Sequence, residues 1–398
     1  MANTDPPSRR DLRLILAARL LRGAAFGMSA VAIGLHLERL HFSSLAIGTV
    51  ITVAVLSAAI AGLAAAALAA RVGRRTTLAI AGGLMALCGA NLATQSEPWL
   101  IVIAVLTGML GTGNIDFGAF ASVEQASLAE SAKPSQRNLG FARYSLTGGL
   151  AAAAGAAIAT TATDLRHGRL LFAGYAGIGL ITAGLALMLS RRAEGEVPTM
   201  PLSRHQIRRL APLSGLFAVD AIGGGLVSNA IVAYWLHVRF GATTAVLGPA
   251  FTVIALLQSA SQELSGRLAN RIGLVRTMVF THAPSNLLLA LVPLSPSLSW
   301  AIGILFARYS LSQMDVPARQ AYVVSIVPPG ERAGAVAITG LVRGVGQAIG
   351  PLVAGAAIQG AALGLPFFLA SGIKLTYDAS LYGLFRNRHA EHERHFQK

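Results

Sequence analysis

Twelve apolar stretches, each long enough to cross a lipid bilayer as a helix, follow one another along the chain. A hydrocarbon core about 30 Å thick takes about 20 residues of helix. Only 12% of the 398 residues are charged, against about 25% in soluble domains. The sequence therefore predicts an all-α integral membrane protein with twelve transmembrane helices, spans 1 to 12. They lie at residues 14–36, 45–69, 76–95, 99–123, 138–161, 168–190, 209–236, 244–266, 275–294, 299–325, 333–358 and 363–385.

Lysine and arginine are divided unequally between the two sides of the predicted membrane. One side carries twenty-one of them, and the other carries only Arg39, Arg166, Arg169 and Arg239. Because cytoplasmic loops are enriched in these residues, both termini and the loop between spans 6 and 7 are predicted to be cytoplasmic. The net charge of +15 comes from short clusters between apolar runs rather than from one amphipathic face. This pattern argues against a nucleic-acid partner.

The sequence contains an internal repeat at an offset of about 200 residues. Residues 68–77 read LAARVGRRTT, and residues 268–277 read LANRIGLVRT. A second match pairs residues 125–126 and 134–137 with residues 320–321 and 329–332. Two matches in the same order indicate a parallel duplication. The predicted domains are a six-helix bundle over 1–190, a cytoplasmic linker over 191–208, and a second six-helix bundle over 209–398 that ends in a short basic tail.

Over nearly its whole length the chain resembles the major facilitator superfamily. The resemblance is carried by the loops between spans 2 and 3 and between spans 8 and 9, which are similar to the family signature G-x-x-x-D-R-x-G-R-[KR]. Ala70 and Asn270 replace the family's aspartate, and Ala66 replaces the first glycine. The resemblance implies two pseudo-symmetric six-helix bundles around a central cavity, with gating that here depends on arginines and helix-end dipoles. The matching residues are Arg71, Gly73, Arg74 and Arg75 in the first half and Gly266, Arg271 and Gly273 in the second.

Span 11 carries a second family-like pattern. Gly346, Gly350 and Pro351 resemble the family's antiporter signature, but they lie in the second half rather than in span 5. We therefore expect these residues to serve helix packing. The pattern does not identify the drug-antiporter subclass.

Polar and ionisable residues at membrane depth are the candidates for function, since each charge costs about 2.5–3.5 kcal/mol on insertion scales. In the resembled family, spans 1, 4, 7 and 10 line the central cavity, and here each of the four carries a charge. The predicted substrate-cavity or coupling residues are Arg22, Asn114, Asp116, Asp220, Arg308, Gln313 and Asp315.

Asp220 is the predicted proton or cation coupling site. No basic residue stands at its level in span 7, so desolvation is expected to bring its protonation within physiological reach. The alternative is that Asp220 hydrogen-bonds backbone loosened near Gly223, Gly224 and Gly225.

Structural roles remain open for the other charges. Arg22 and Asp116 are expected to pair, which could simply pin spans 1 and 4 together. Asp315 could accompany a kink at Pro317. Lys374 and Asp378 are expected to form a local i,i+4 pair. Four further charges lie nearer the cytoplasmic ends of their spans and are expected to extend to that surface: Glu124, Arg143, Arg319 and Arg343.

These residues favour a secondary active transporter that exports a small organic molecule by alternating access, coupled to protons. An uncoupled facilitator or an anion or metal porter is the alternative, and a membrane sensor or enzyme is a third. The sequence shows no paired nucleophile and base, phosphate loop or clustered His and Cys ligands, so we expect no enzymatic activity, cofactor or metal site.

The expected partners are a small-molecule substrate, the lipid bilayer and protons. Twenty-nine arginines against three lysines favour a bacterial origin, and the expected location of the monomeric protein is the plasma (inner) membrane.

Overall fold

The computed structural model describes residues 9–112, 118–124, 137–190, 204–325 and 332–386, and these residues are helical almost throughout. A short helical segment at 119–124 and two single 3-10 turns add to the main helices. The main helices are α1 (Arg9–Arg39), α2 (Ser44–Val72), α3 (Arg74–Thr94), α4 (Pro98–Val105), α5 (Arg137–Ile158), α6 (Leu165–Leu187), α7 (Arg204–Leu226), α8 (Asn229–Phe240), α9 (Thr244–Ile272), α10 (Leu274–Leu291), α11 (Leu298–Tyr309), α12 (Asp315–Ser325), α13 (Arg332–Gln359) and α14 (Leu365–Phe385).

Eight helical stretches of the described residues are long and apolar enough to cross a bilayer. They are α1, α2, α3, α6, α7 together with α8, α9, α10 and α13. Helices α5 and α14 coincide with predicted spans 5 and 12, while the helices of spans 4 and 10 are interrupted partway. The described residues contain no β-strand. The prediction of an all-α membrane protein with helix at all twelve spans is confirmed.

The interruptions in spans 4 and 10 alter the expected shape of two helices. Helix α4 ends at Val105, and Gly108 adopts a φ of +70° that ends the regular helical conformation. In span 10, α11 ends at Tyr309 and α12 begins at Asp315. Pro317 therefore lies in the first turn of a new helix, where its missing N–H costs nothing, rather than at a kink in a continuous one.

The described helices form two compact units. The first contains α1–α6, α8 and the start of α9 as far as residue 255, and the second contains α7, the rest of α9 and α10–α14. The domain boundaries expected from the sequence, 1–190 and 209–398, stay a prediction of where the two repeats begin and end.

The repeated loops after α2 and α9 have the same backbone geometry. Gly73 has φ 89° and ψ 159°, and Gly273 has φ 89° and ψ 161°. In both loops the glycine N–H donates to the carbonyl four residues earlier, at 3.0 and 2.9 Å. The hydroxyls of Thr77 and Thr277 each donate to the glycine carbonyl at 2.8 Å. A positive φ of this size suits glycine, so the repeated sequence specifies one turn twice.

Glycines allow close contact between α1 and α5 in the first unit and between α7 and α13 in the second. A Cβ atom added at Gly155 would overlap the carbonyl oxygen of Ala24. A Cβ added at Gly225 would overlap the carbonyl oxygen of Gln347, and one at Gly350 would overlap backbone of α7. The two pairs are spans 1 and 5 and spans 7 and 11, which correspond in the repeat. Backbones packed this closely have no room for a larger residue.

We expect Gly155→Ala and Gly225→Ala to destabilise the purified protein by about 1–3 kcal/mol each, because the added methyl group must push two backbones apart. The matched controls are Gly174→Ala in α6 and Gly372→Ala in α14, where nothing lies within 4 Å of the added Cβ. They should be neutral or stabilising by up to about 1 kcal/mol. Thermal unfolding in detergent measures all four variants, and equal effects at the four sites would contradict the packing account.

Candidate functional site

A cluster of seven ionisable side chains lies inside the second unit, and we call it the charge cluster. No member side chain is more than 12% exposed. Five helices contribute, so the cluster joins most of the helices of the unit. Its members are Asp220 on α7, His282 on α10, Asp315 and Arg319 on α12, Arg343 on α13, and Lys374 and Asp378 on α14.

Asp220 lies at the centre of the charge cluster. Its Oδ1 accepts a hydrogen bond from Lys374 Nζ at 2.6 Å, and its Oδ2 accepts one from Arg343 Nη1 at 3.1 Å. His282 Nε2 lies 3.6 Å from Oδ1, and Arg319 Nη1 lies 3.7 Å from Oδ2. The expectation that Asp220 lacks a basic neighbour is wrong. Its partners come from other helices, whereas the expectation considered span 7 alone.

The other two carboxylates have partners of their own. Arg319 Nη1 donates to Asp315 Oδ2 at 2.5 Å, one helical turn away. His282 Nδ1 lies 2.8 Å from Asp378 Oδ1, and the Asn286 amide donates to Asp378 Oδ2 at 2.9 Å.

The expected local pair between Lys374 and Asp378 is wrong. Although the two share a face of α14, Lys374 extends to Asp220 and Asp378 extends to His282. Each finds a closer partner on a neighbouring helix than along its own. Their spacing in the sequence predicts the shared face correctly but not the partners.

The charges of the cluster sum to zero when His282 is neutral. Three carboxylates face three basic side chains, and the imidazole is the seventh member. A buried pair or network of this kind avoids the penalty of an unpaired charge at membrane depth. The expectation that Arg319 and Arg343 extend to the cytoplasmic surface is therefore wrong, because both turn inward to Asp220.

Small and aromatic residues shape the walls of the charge cluster. A Cβ added at Gly223 would meet Cγ of Lys374 at 2.9 Å, so the glycine leaves room for the lysine chain. The Arg319 guanidinium lies 5.7 Å from the ring centre of Phe217. The ring of Tyr377 meets that of His282 edge-on, with centroids 5.9 Å apart. These apolar faces lower the local dielectric and strengthen the interactions between charges.

A second buried polar site lies in the first unit. Arg22 Nη2 donates to Glu124 Oε2 at 2.5 Å, and the hydroxyl of Tyr144 donates to the same oxygen at 2.8 Å. The Arg22 guanidinium lies 4.1 Å from the ring centre of Phe120, and Arg19 lies 4.5 Å from that of Tyr144. Glu124 is 1% exposed, so the expectation that it reaches the surface is wrong.

The remaining predicted residues are distributed over several places. Asn114 and Asp116 lie outside the described residues, so the expected Arg22–Asp116 pair stays a prediction. Arg308 is the second-last residue of α11, its guanidinium lies 4.6 Å from the ring centre of Tyr309, and Gln313 lies in the turn before α12. Among the loop arginines Arg74 is buried, Arg75 is half-buried, and Arg71 and Arg271 are exposed. Gly266 lies within α9, and Gly346, Gly350 and Pro351 lie within α13, where Gly346 and Gly350 pack against the backbone of α7.

Sequence reasoning missed His282 and Asn286 altogether. The two lie four residues apart on one face of α10, inside an otherwise apolar span. A polar pair at helical spacing within span 9 was the available signal.

Comparisons with known proteins agree with this architecture. The sequence model of the Major Facilitator Superfamily matches residues 15–217 and 213–396. An uncharacterised membrane protein of Saccharomyces cerevisiae is 22% identical over 94% of both chains. The crystal structure of the nucleoside transporter NupG has a TM-score of 0.72 at 13% identity, covering 96% of this chain and all of that one. The D-xylose-proton symporter has a TM-score of 0.71 at 15% identity, covering 93% and 97%.

We expect Lys374→Met to lower the free energy of unfolding by about 3–5 kcal/mol, because it leaves the cluster with an unbalanced negative charge. Adding Asp220→Asn should restore much of that loss, since the double variant again has equal numbers of acids and bases. Arg276→Gln, which removes an exposed charge from α10, is the control and should change stability by less than about 0.5 kcal/mol. Thermal unfolding in detergent compares the three. A double variant no more stable than Lys374→Met would show that charge balance does not hold the cluster together.

Proposed function

The chain belongs to the Major Facilitator Superfamily, and on that premise we propose that it is a proton-coupled secondary transporter that exports a small organic molecule. Membership makes it a multi-pass membrane transporter with a small-molecule substrate. The proton and the direction of transport are our proposal. Protons that re-enter a cell down their gradient can drive a solute outward, and alternating access supplies the exchange.

The observation that supports coupling best is the charge cluster around Asp220. Seven ionisable groups at membrane depth are costly to retain, and such groups in a transporter are functional-site candidates by default. Asp220 is on α7, and its four basic partners come from four other helices, α10, α12, α13 and α14. A movement of α7 relative to α13 or α14 would lengthen the contacts with Arg343 and Lys374. The charge state of the cluster and the positions of its helices are then linked.

A proton drives such a movement only if it binds two conformations with different affinity. In the described arrangement Asp220 accepts hydrogen bonds directly from Lys374 and Arg343. In a conformation with longer contacts, the electrostatic potential at the other ionisable side chains of the cluster would differ, and so would their affinity for a proton. Proton uptake would then favour one conformation and proton release the other. The D-xylose-proton symporter has the same fold, and its name states that it couples its solute to protons.

The repeated loops after α2 and α9 are the proposed gating elements. Arg71, Arg74 and Arg271 lie where one helix ends and the next begins, and a cation at a helix C-terminus is stabilised by the helix dipole. We assign them the role of holding one face of the carrier closed. Without the family's aspartate in either loop, helix ends and acids elsewhere must supply their partners.

A second candidate is an uncoupled porter of small anions. Arg22 is fully buried, and within the described part of the chain its Nε and Nη1 have no hydrogen-bond acceptor. The same holds for Nε of Arg308. Buried guanidinium donors without acceptors are suited to carboxylate or phosphate ligands. This candidate predicts solute movement that is independent of the pH gradient.

Asp220→Asn separates the two candidates. A thermal-shift screen of metabolites and drugs first identifies a compound that raises the melting temperature of the unmodified protein. In reconstituted vesicles, gradient-driven accumulation of that compound should be lost in Asp220→Asn, while exchange without a gradient should survive. The amide keeps the size and shape of the carboxylate and removes its charge, and its single oxygen can still accept one of the two hydrogen bonds that Lys374 and Arg343 donate.

The matched control for that assay is Asp164→Asn. Asp164 is an exposed carboxylate before α6, and the backbone N–H of His167 holds its pKa below the usual range, so it too is ionised at neutral pH. Asparagine is also a good N-cap residue, so this variant should fold and retain coupling. Accumulation by Asp220→Asn that follows the pH gradient as in the unmodified protein would exclude the coupling role.

The proposed location is a bacterial inner membrane, with residues 1–13 and 386–398 in the cytoplasm and the protein a monomer. A reporter enzyme that is active only after export should be inactive when fused after Lys398. The same reporter inserted between α5 and α6, near Thr163, should be active. The reverse pattern of activity would overturn the orientation derived from the charge distribution.

A further inference from the structure

We infer that His282 is the member of the charge cluster that takes up and releases the coupling proton, with Asp220 controlling its occupancy. This inference rests on the proposed proton coupling and assigns the proton to a named ring. His282 belongs to α10, a helix to which the sequence assigned no functional residue.

The imidazole lies between two carboxylates from two different helices. Its Nδ1 is 2.8 Å from Asp378 Oδ1 on α14, which is hydrogen-bond distance, and its Nε2 is 3.6 Å from Asp220 Oδ1 on α7. A neutral ring carries one N–H, so it can donate from Nδ1 to Asp378 or from Nε2 toward Asp220 but not to both, and its other nitrogen then presents a lone pair to a carboxylate oxygen. Only the imidazolium donates toward both carboxylates. A proton on that other nitrogen therefore turns an unfavourable contact into a charge-assisted one.

Five of the other six members of the cluster are less suited to exchange a proton, and the sixth, Asp378, shares a hydrogen bond with His282, so a proton taken up there belongs to the pair. Arginine stays protonated in proteins, which excludes Arg319 and Arg343 as proton donors. Asp220 and Asp315 each contact a basic group directly, at 2.6 and 2.5 Å, and protonating either would leave that base unpaired. Lys374 is tied to Asp220 by the same contact. Imidazole is the side chain whose ordinary protonation change falls between pH 5 and 8.

Opposing fields act on the ring and make its protonation sensitive to the position of α7. Asp378 on α14 and Asp220 on α7 favour the imidazolium. Lys374 on α14, Arg319 on α12 and Arg343 on α13 all contact Asp220, and their positive charges oppose the imidazolium. The flanking groups Tyr377 and Asn286 are uncharged. Lengthening the 3.6 Å contact with Asp220 would favour release of the proton, and shortening it would favour uptake.

The test observes the ring directly and needs only the proton as its ligand. Protein labelled with nitrogen-15 in its histidines and reconstituted in lipid nanodiscs is followed by NMR from pH 5 to pH 9. The resonance missing in His282→Gln belongs to His282, and we expect it to change from imidazolium to neutral imidazole within that range. His36→Gln is the matched control, because His36 is a buried histidine of the first unit whose ring nitrogen contacts the Leu92 carbonyl at 3.0 Å.

Two further variants should move the His282 titration in opposite directions. Asp220→Asn removes a carboxylate that favours the imidazolium, so the imidazolium fraction at pH 6 to 7 should fall. Lys374→Met removes a cation that opposes it, so that fraction should rise. Each variant is compared only if it elutes as a folded species in size-exclusion chromatography. Because the two shifts are of opposite sign, a general loosening of the fold cannot reproduce both.

The inference would be overturned if the His282 ring kept one protonation state throughout pH 5 to 9, or if its imidazolium fraction were the same in both charge variants as in the unmodified protein. The vesicle assay distinguishes this failure from failure of the proposed function. If the unmodified protein shows no dependence on a pH gradient, the proposed coupling is wrong whatever the ring does. If it shows that dependence, His282→Gln should lose it and His36→Gln should keep it, and coupling that survives in His282→Gln would reject the assignment.

Discussion

An ionised carboxylate at membrane depth must be matched by opposite charge, and Asp220 imposes this requirement on the second unit. Lys374 and Arg343 bind its two oxygens, and Arg319 and His282 complete a ring of basic groups around it. Removing one charged member leaves an uncompensated charge buried away from water, which is costly in free energy. Five helices are consequently tied to one another by side chains that would each be unfavourable alone. The cluster is both a structural junction and a place where one added proton changes the net charge.

Small residues make this arrangement sterically possible. Gly225 and Gly350 bring the backbones of α7 and α13 into contact, which carries Arg343 within reach of Asp220. Gly223 leaves space for the aliphatic chain of Lys374. The first unit uses the same device between α1 and α5, where Gly155 meets the backbone of α1. A stripe of glycines thus recurs in both halves, although the two halves place different charges beside it.

The general fold was predictable because length and hydropathy decide where a helix can cross a bilayer. The repeated turn at Gly73 and Gly273 was predictable as well, since a positive φ after a helix calls for glycine. Lateral partners were not predictable from one sequence. Asp220 looked isolated because the residue spacing along span 7 carries no information about side chains of α13 or α14. Lys374 looked paired with Asp378 because a spacing of four residues shows that they share a helix face, but it does not show which neighbouring helix each contacts. The break between Tyr309 and Asp315 did have a signal in the sequence, because Ser310, Ser312 and Gln313 precede Asp315, and Pro317 suits the first turn of a new helix.

Charge displacement measured on a solid-supported membrane tests the central claim most directly. Vesicles containing the protein receive a sudden step in pH with no solute present. If the charge cluster is the coupling site, protons entering it should give a transient current in the unmodified protein. The His282→Gln variant keeps the central ion pair between Asp220 and Lys374 but lacks the ring that takes up the proton, and it should give a much smaller transient. Equal transients from the two proteins, or none from the unmodified protein, would contradict the account.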